Sequence, residues 1–272
     1  MFCNAPFIAE SGMAAFYRLR GVRMELTEFF QHHPKAALAF SGGVDSAYLL
    51  CAAVKCGADI HAYYVRSAFQ PRFELEDAKR LAAQLGAAMT VIDVDVLRCG
   101  EVAANPPDRC YHCKRIIFRA IADRAAKDGY PVLIDGTNAS DDAGDRPGMR
   151  ALGELAVLSP LRECGLTKEE IRRRSKEAGL FTWDKPAYAC LATRIPAGET
   201  ITREKLERTE RAEDFLFSLG FTDFRVRSVG DAAKLQVPAA QLEQLMYHRT
   251  GIVRELKKQY SSVLLDLEAR DE

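Results

Sequence analysis

Apolar residues fall along the N-terminal part of this chain in blocks of two alternating kinds. Short continuous apolar runs bounded by turn formers read as buried strands. Longer stretches with apolar residues spaced three and four apart read as helices. After a first helix over residues 25–32, the pattern predicts a strand over 35–40 and a helix over 47–55 that ends near Gly57. A second strand follows over 60–65, then a helix over 73–85 closed by Gly86. Residues 89–96 set Val91, Asp93 and Asp95 against Ile92, Val94 and Val96, a third strand. Asn105-Pro106-Pro107 interrupts before a long helix over 111–127 and a short buried strand over 132–134. Thr167 and Glu170 form a capping box for a helix over 168–178, ended by Gly179.

Strand and helix in alternation imply the α/β class, a parallel sheet with helices on both faces. The rhythm then changes. Residues 180–198 carry two prolines and little periodicity, and long irregular segments in compact domains are commonly functional. Beyond them come a helix over 202–219, strands over 221–229 and 234–237, a helical stretch over 239–246 and a last strand over 261–267. The expected plan is an α/β domain over 24–194 and a smaller α+β C-terminal domain over 195–272. Met24 stands just before the first convincing helix, so residues 1–23 read as a poorly ordered extension or an unused upstream start.

Composition narrows the class. At 272 residues the chain can bury a substantial core, and 48% apolar with 28% charged residues is ordinary for a soluble globular protein. The formal net charge is zero, so no global field draws in nucleic acid, which weighs against such a partner. No apolar run approaches the roughly 20 residues that span a bilayer. Eight cysteines without a secretory signal fit a reducing, cytoplasmic compartment. Cys51 and Cys56, in or at the end of an apolar helix, read as small core residues.

The sharpest motif is Ser41-Gly42-Gly43-Val44-Asp45-Ser46, between predicted strand and predicted helix. That arrangement turns a helix N-terminus into an anion site. Gly42 and Gly43 let the backbone approach a phosphate, Ser41 and Ser46 add hydroxyl donors, and Asp45 can hold a Mg²⁺ bridging phosphates. The lysine of G-x-x-x-x-G-K-[ST] is missing, so this is not the usual γ-phosphate loop. Asp135-Gly136-Thr137-Asn138 sits where the fourth strand ends, and ligands of open α/β sheets bind beyond the carboxyl ends of strands. Both loops then face one nucleotide; plain glycine and Asx turns are the simpler readings.

Cys110 and Cys113 form a C-x-x-C pair, crowded by Arg109, Lys114 and Arg115, with His112 between them. Such a pair reaches one metal ion or each other, and positive surroundings favour thiolate. There is only one such pair, and two structural cysteines at a helix start remain the plainer alternative. Cys190 precedes Arg194 by four residues in the irregular segment; the arginine could depress the thiol pKa or grip an anion. Arg225 and Arg227 share one face of a predicted strand and suit carboxylate or phosphate, or else line a solvated face.

The hexapeptide resembles the S-G-G-x-D-S loop of ATP pyrophosphatases of the PP-loop superfamily. The ordered set SGGVDS (41–46), NPPDRCYHCK (105–114), DGTNASD (135–141), RPGMRALGEL (146–155), SPLRECGLTKEEIR (159–172), WDKPAYACLATRIPAG (183–198) and RVRSVGDAAKLQV (225–237) resembles the LarE family, over about residues 24–240. The resemblance implies an ATP-dependent sulfur transferase serving the nickel-pincer nucleotide cofactor of lactate racemase. It implies ATP and Mg²⁺ on Ser41, Gly42, Gly43, Asp45, Ser46, Gly136 and Asn138. It implies a pyridinium-dicarboxylate mononucleotide held by Arg194, Glu213, Arg225 and Arg227, and Cys190 as the catalytic sulfur carrier. In one version Cys190 gives up its own sulfur and becomes dehydroalanine. In the other, Cys110, Cys113 and Cys190 hold a [4Fe–4S] cluster with an extra sulfide, and Cys190 survives. The cluster version gives the C-x-x-C pair a role.

Two positions depart from the family pattern. Thr193 stands where Ser is common, and Gln236 stands where a glutamate is expected; an amide cannot serve as a base. The resemblance also implies a homo-oligomer and other cofactor-maturation proteins as partners. Other readings are an amide-forming PP-loop ligase of the NAD synthetase kind, which leaves the three cysteines unexplained, a tRNA thiolation enzyme, and a nucleotide-binding regulatory module.

Overall fold

A computed structural model describes residues 23–141 and 146–268. The extension expected over residues 1–23 therefore lies, Arg23 apart, outside the described residues. The chain divides into two compact units. The first comprises the chain up to Ser67, Arg72–Val94 and Asp108–Lys185; the second comprises Ala68–Pro71, Asp95–Pro107 and Pro186–Glu272.

The first unit runs α1 (Leu26–His32), β1 (Lys35–Ala39), α2 (Val44–Lys55), β2 (Asp59–Arg66), α3 (Arg72–Gln84) and β3 (Ala88–Asp93). After α4 (Gly100–Ala103), which belongs to the second unit, it resumes with α5 (Arg109–Lys127), β4 (Leu133–Ile134), α6 (Arg146–Glu154), α7 (Pro160–Glu163) and α8 (Lys168–Glu177). The strands form one parallel sheet in the order β3-β2-β1-β4. Alternate residues feed opposite faces. Ala36, Leu38, Ile60, Ala62, Tyr64 and Ile134 join a core with α1, α2, α3 and α8. Ala37, Tyr63, Val65 and Leu133 join one with α5 and α6. Both faces are thus covered, as a parallel sheet requires.

The third strand stops at Asp93 rather than continuing to 96. Its partner β2 ends at Arg66, which pairs with Asp93, and Val96–Arg98 turns instead as a short 3₁₀ helix. Helices α6 and α7 were not anticipated: Gly148 and Gly153 obscure the period of the first, and the second is a single turn.

The second unit contains α9 (Arg203–Ser218), β5 (Arg225–Val229), β6 (Ala232–Gln236), α10 (Leu242–Leu256) and β7 (Ser262–Leu265). Its sheet has the order β5-β6-β7, with β5 and β6 antiparallel and β6 and β7 parallel. The core gathers Leu216, Phe221, Phe224, Val226, Leu235, Leu245, Ile252 and Leu256. The last helix outruns the expected 239–246: residues 239–241 are 3₁₀, and the buried stripe Leu245, Ile252, Leu256 carries the helix past exposed Tyr247 and Gly251. Among the described residues no helix is long and apolar enough to cross a membrane.

Candidate active site

In the first unit the strand order creates the site. The chain leaves β1 toward β2 on one side and returns through β4 on the other, so the loops after β1 and β4 flank a topological switch point, where open α/β sheets bind ligands. After β1, Gly42 takes φ +74°, with the Cβ of Ala78 on α3 only 3.1 Å from where its own would stand. Gly43 is the N-cap of α2 and supplies no side-chain cap, so first-turn amides of α2 stay available to an anion. The two serines order the loop: their hydroxyls lie 3.1 Å apart, Gly43 N donates to Ser41 Oγ and Ser46 Oγ donates to Gly43 O.

After β4, Gly136 passes so close to α2 that a Cβ there would lie 2.9 Å from the backbone nitrogen of Ser46. Only glycine lets the two loops meet in this way. Asp135 is buried and accepts from Thr137 N, Thr137 Oγ1 and Ser159 Oγ, the last at 2.7 Å. Burial pushes its pKa up despite these bonds. Asn138 is fully buried; Asp141 accepts from its backbone N–H, and its Oδ1 accepts from Ser140 N.

Two buried polar atoms here find no hydrogen-bond partner among the described residues: Asp45 Oδ1 and Asn138 Nδ2. Orphaned groups of this kind are costly unless a ligand completes them. A carboxylate oxygen and an amide donor at a switch point fit a Mg²⁺–nucleotide. The other oxygen of Asp45 pairs with Lys168 Nζ at 2.5 Å. Burial raises the Asp45 pKa, and Lys168 only partly offsets it. Lys168 was expected merely to begin a helix; its place just after the capping threonine of α8 puts its ammonium here.

The same unit holds the C-x-x-C pair. Cys110 lies in the first turn of α5 and Cys113 at the start of the second, on one face by their spacing of three, Cys110 exposed and Cys113 half-buried. Arg109 Nη2 lies 3.7 Å from Cys110 Sγ, and Asp108 pairs with His112 at 3.3 Å. Arg150 stacks over the Tyr111 ring at 3.7 Å, and the Tyr111 hydroxyl meets Glu154. Among the described residues no three His, Cys, Asp or Glu side chains gather as a metal site. Cys110 and Cys113 belong to the first unit and Cys190 to the second.

In the second unit the irregular segment around Cys190 is held by its backbone carbonyls. Arg194 Nη1 donates to Ala189 O at 2.8 Å and to Cys190 O at 3.4 Å. Arg225 Nη2 donates to Ala187 O at 2.6 Å, and Arg227 Nη1 to Thr193 O at 2.8 Å. Three guanidinium groups thus satisfy the carbonyls of a stretch without ladder partners. Leu191–Arg194 closes as a 3₁₀ turn, and Leu191 N is anchored on Phe69 O at 2.9 Å. Cys190 itself is half-buried.

Arg194 is 1% exposed and Glu213 likewise, paired at 2.8 Å. Burial opposes the Arg194 charge, but Glu213, Tyr188 and the Cys190 sulfur outweigh it and raise its pKa. Glu213, from α9, also accepts from Val226 N at 2.9 Å and from the Tyr188 hydroxyl. Tyr188 lies between Arg194 at 4.6 Å and Arg225 at 5.3 Å as a cation–π partner of both. Sequence reasoning passed over Tyr188 and Ser159, although both stand inside the motifs quoted above.

Known proteins resemble this chain. A family model for the queuosine biosynthesis protein QueC matches residues 35–105. An uncharacterized protein of Synechocystis is 38% identical over 222 residues, covering 81% of this chain and 83% of its own. The pyridinium-3,5-bisthiocarboxylic acid mononucleotide synthase of Lactiplantibacillus plantarum is 32% identical over 236 residues, 86% of each chain. A tRNA-specific 2-thiouridylase of Thermotoga petrophila is 27% identical over 195 residues, 56% of this chain and 54% of its own.

Proposed function

The chain belongs to the LarE family of PP-loop sulfur transferases, and from that premise we propose the reaction it carries out. ATP adenylates a carboxylate of a pyridinium-dicarboxylate mononucleotide, pyrophosphate leaves, and sulfur replaces AMP to give a thiocarboxylate. The thiocarboxylate then enters assembly of the nickel-pincer nucleotide cofactor of lactate racemase.

In the first unit, amides of the Ser41–Ser46 loop and the start of α2 receive the phosphates, with the Ser41 and Ser46 hydroxyls beside them. Asp45 Oδ1 is the open ligand for Mg²⁺, and Asn138 Nδ2 is a donor to the same nucleotide. Gly42, Gly43 and Gly136 keep side chains out of its way. The substrate carboxylate attacks the α-phosphorus as the bond to the bridging oxygen breaks. Charge gathers on the departing pyrophosphate, where the loop amides neutralise it; a Mg²⁺ held by Asp45 would add to that neutralisation.

In the second unit, Arg225 and Arg227 bind the anionic groups of the mononucleotide. Arg194 and Glu213 serve the same site from beneath by holding the segment that carries Cys190. By the family resemblance, Cys110, Cys113 and Cys190 would be the thiolate donors of a three-cysteine [4Fe–4S] cluster, a group that would supply a transferable sulfide. Gln236 favours this source over the sulfur of Cys190 itself, since elimination from cysteine needs a base and an amide is none. A homo-oligomer and contact with other maturation proteins complete the proposal.

The observation that carries the reading is the framing of Cys190 by Arg194, Arg225 and Arg227 in one polar network. The test is turnover with ATP, Mg²⁺ and the dicarboxylated mononucleotide. Pyrophosphate release together with a sulfur-containing product supports it. Pyrophosphate release with an amide product, or release dependent on added tRNA, overturns it.

A further inference from the structure

Gln236 breaks the expected pattern, and the structure shows what surrounds it. Its Oε1 accepts from Arg227 Nε at 2.5 Å, while its Nε2 donates to Asp266 Oδ2 at 2.7 Å. The partners fix the amide: its oxygen must face the guanidinium and its nitrogen the carboxylate. Asp266 is held in turn by Lys234 Nζ at 2.8 Å, and its backbone N–H donates to Leu235 O at 2.9 Å. The topology brings these groups together. β7 runs parallel to β6 with Leu265 opposite Leu235, so the residue after β7 arrives beside Gln236. Lys234 lies opposite Arg227 across the hairpin.

We propose that Gln236 and Asp266 are positioning residues for Arg227, aiming its guanidinium at an anionic ligand without a carboxylate at position 236 to neutralise it. A glutamate at 236 would aim the arginine equally well but would neutralise it at contact. It would also stand against the Asp266 carboxylate. Gln236 moves the negative charge one residue further from Arg227, onto Asp266, where Lys234 balances it. The arrangement suits a ligand that brings its own negative charge, a phosphate or a carboxylate. A ligand of that class meets a guanidinium that is fixed in direction and not already salt-bridged by residue 236.

The proposal rests on the reading of Arg227 as an anion-binding residue, so its test needs one arm that is independent of turnover. The first arm is the ¹⁵N NMR signal of the Arg227 Nε–H in the full chain, assigned with Arg227→Lys. Gln236→Leu keeps the approximate volume and removes the acceptor; exchange of that proton with solvent should speed up by about tenfold or more, the loss of one charge-assisted bond. Gln236→Glu combined with Asp266→Asn restores a bonded chain with the carboxylate moved to 236, and protection should return. The second arm is binding of inorganic phosphate and KM for the mononucleotide. In that double variant both affinities should fall by about tenfold while kcat stays within a few-fold. Unchanged exchange in Gln236→Leu overturns the positioning role. Wild-type affinity in the double variant overturns the charge role. Failure of the wild type to make a thiocarboxylate would sink the proposed reaction but leave the exchange arm standing.

Discussion

Asp45 carries opposed demands. Burial raises its pKa in the folded protein, so between the ordinary carboxylate value and the raised one the folded state binds more proton than the unfolded state does. Its contribution to stability is therefore greatest below the ordinary carboxylate value and is lost as pH rises through the raised one. Asp45→Asn should leave the ligand-free protein at least as stable at neutral pH, with a shallower decline of melting temperature from acid to neutral. The same variant should lose pyrophosphate release by about a hundredfold or more, because the open Mg²⁺ ligand is gone. Melting curves across pH and a pyrophosphate assay check both halves. Cys190→Ala separates the two chemical steps: substrate-dependent pyrophosphate release should persist while sulfur in the product disappears. At this scale the hexapeptide gave the sequence reading firm ground, since its residues do their work through local backbone geometry. Lys168 and Asp266 were illegible because their meaning comes from partners far along the chain, Asp45 for the first and Gln236 for the second.

Among the elements, the meeting of the β4 loop with the start of α2 governs the nucleotide site. Gly136→Ala should destabilise the protein by about 1–3 kcal/mol, because its Cβ would strike the backbone of Ser46 rather than a yielding side chain. Denaturant midpoints measure that cost, and nucleotide affinity should fall with it. In the second unit, α9, β5 and the Cys190 segment converge on one carboxylate. Glu213→Ala leaves Arg194 charged and buried, so a loss of about 3–5 kcal/mol is expected. If that variant unfolds as the wild type does, the carboxylate does not hold these elements together. The strand–helix alternation was readable because apolar period and glycine stops agree, as at Gly57, Gly86 and Gly179, all with positive φ. Helix α6 was not, because two glycines blur its period, and the length of α10 is set by tertiary burial of Ile252 and Leu256.

At the scale of the whole chain, the second unit is assembled from three separate stretches. Asn105 Nδ2 donates to Pro196 O at 2.7 Å, Gly198 N to Asn105 O at 2.8 Å, and Ile201 N to Ala103 O at 2.7 Å. A fragment of residues 186–272 should therefore lack a cooperative melting transition, which calorimetry would show. No linear reading of composition finds such a unit, because the short stretches 68–71 and 95–107 carry no signal of where they pack. The central claim concerns chemistry, and one measurement bears on it most directly: intact mass of the anaerobically purified protein before and after turnover with ATP, Mg²⁺ and the dicarboxylated mononucleotide, together with the mass of the product. The account predicts a thiocarboxylate product and an unchanged polypeptide mass. A product without sulfur, or a polypeptide lighter by H₂S at Cys190, would contradict it.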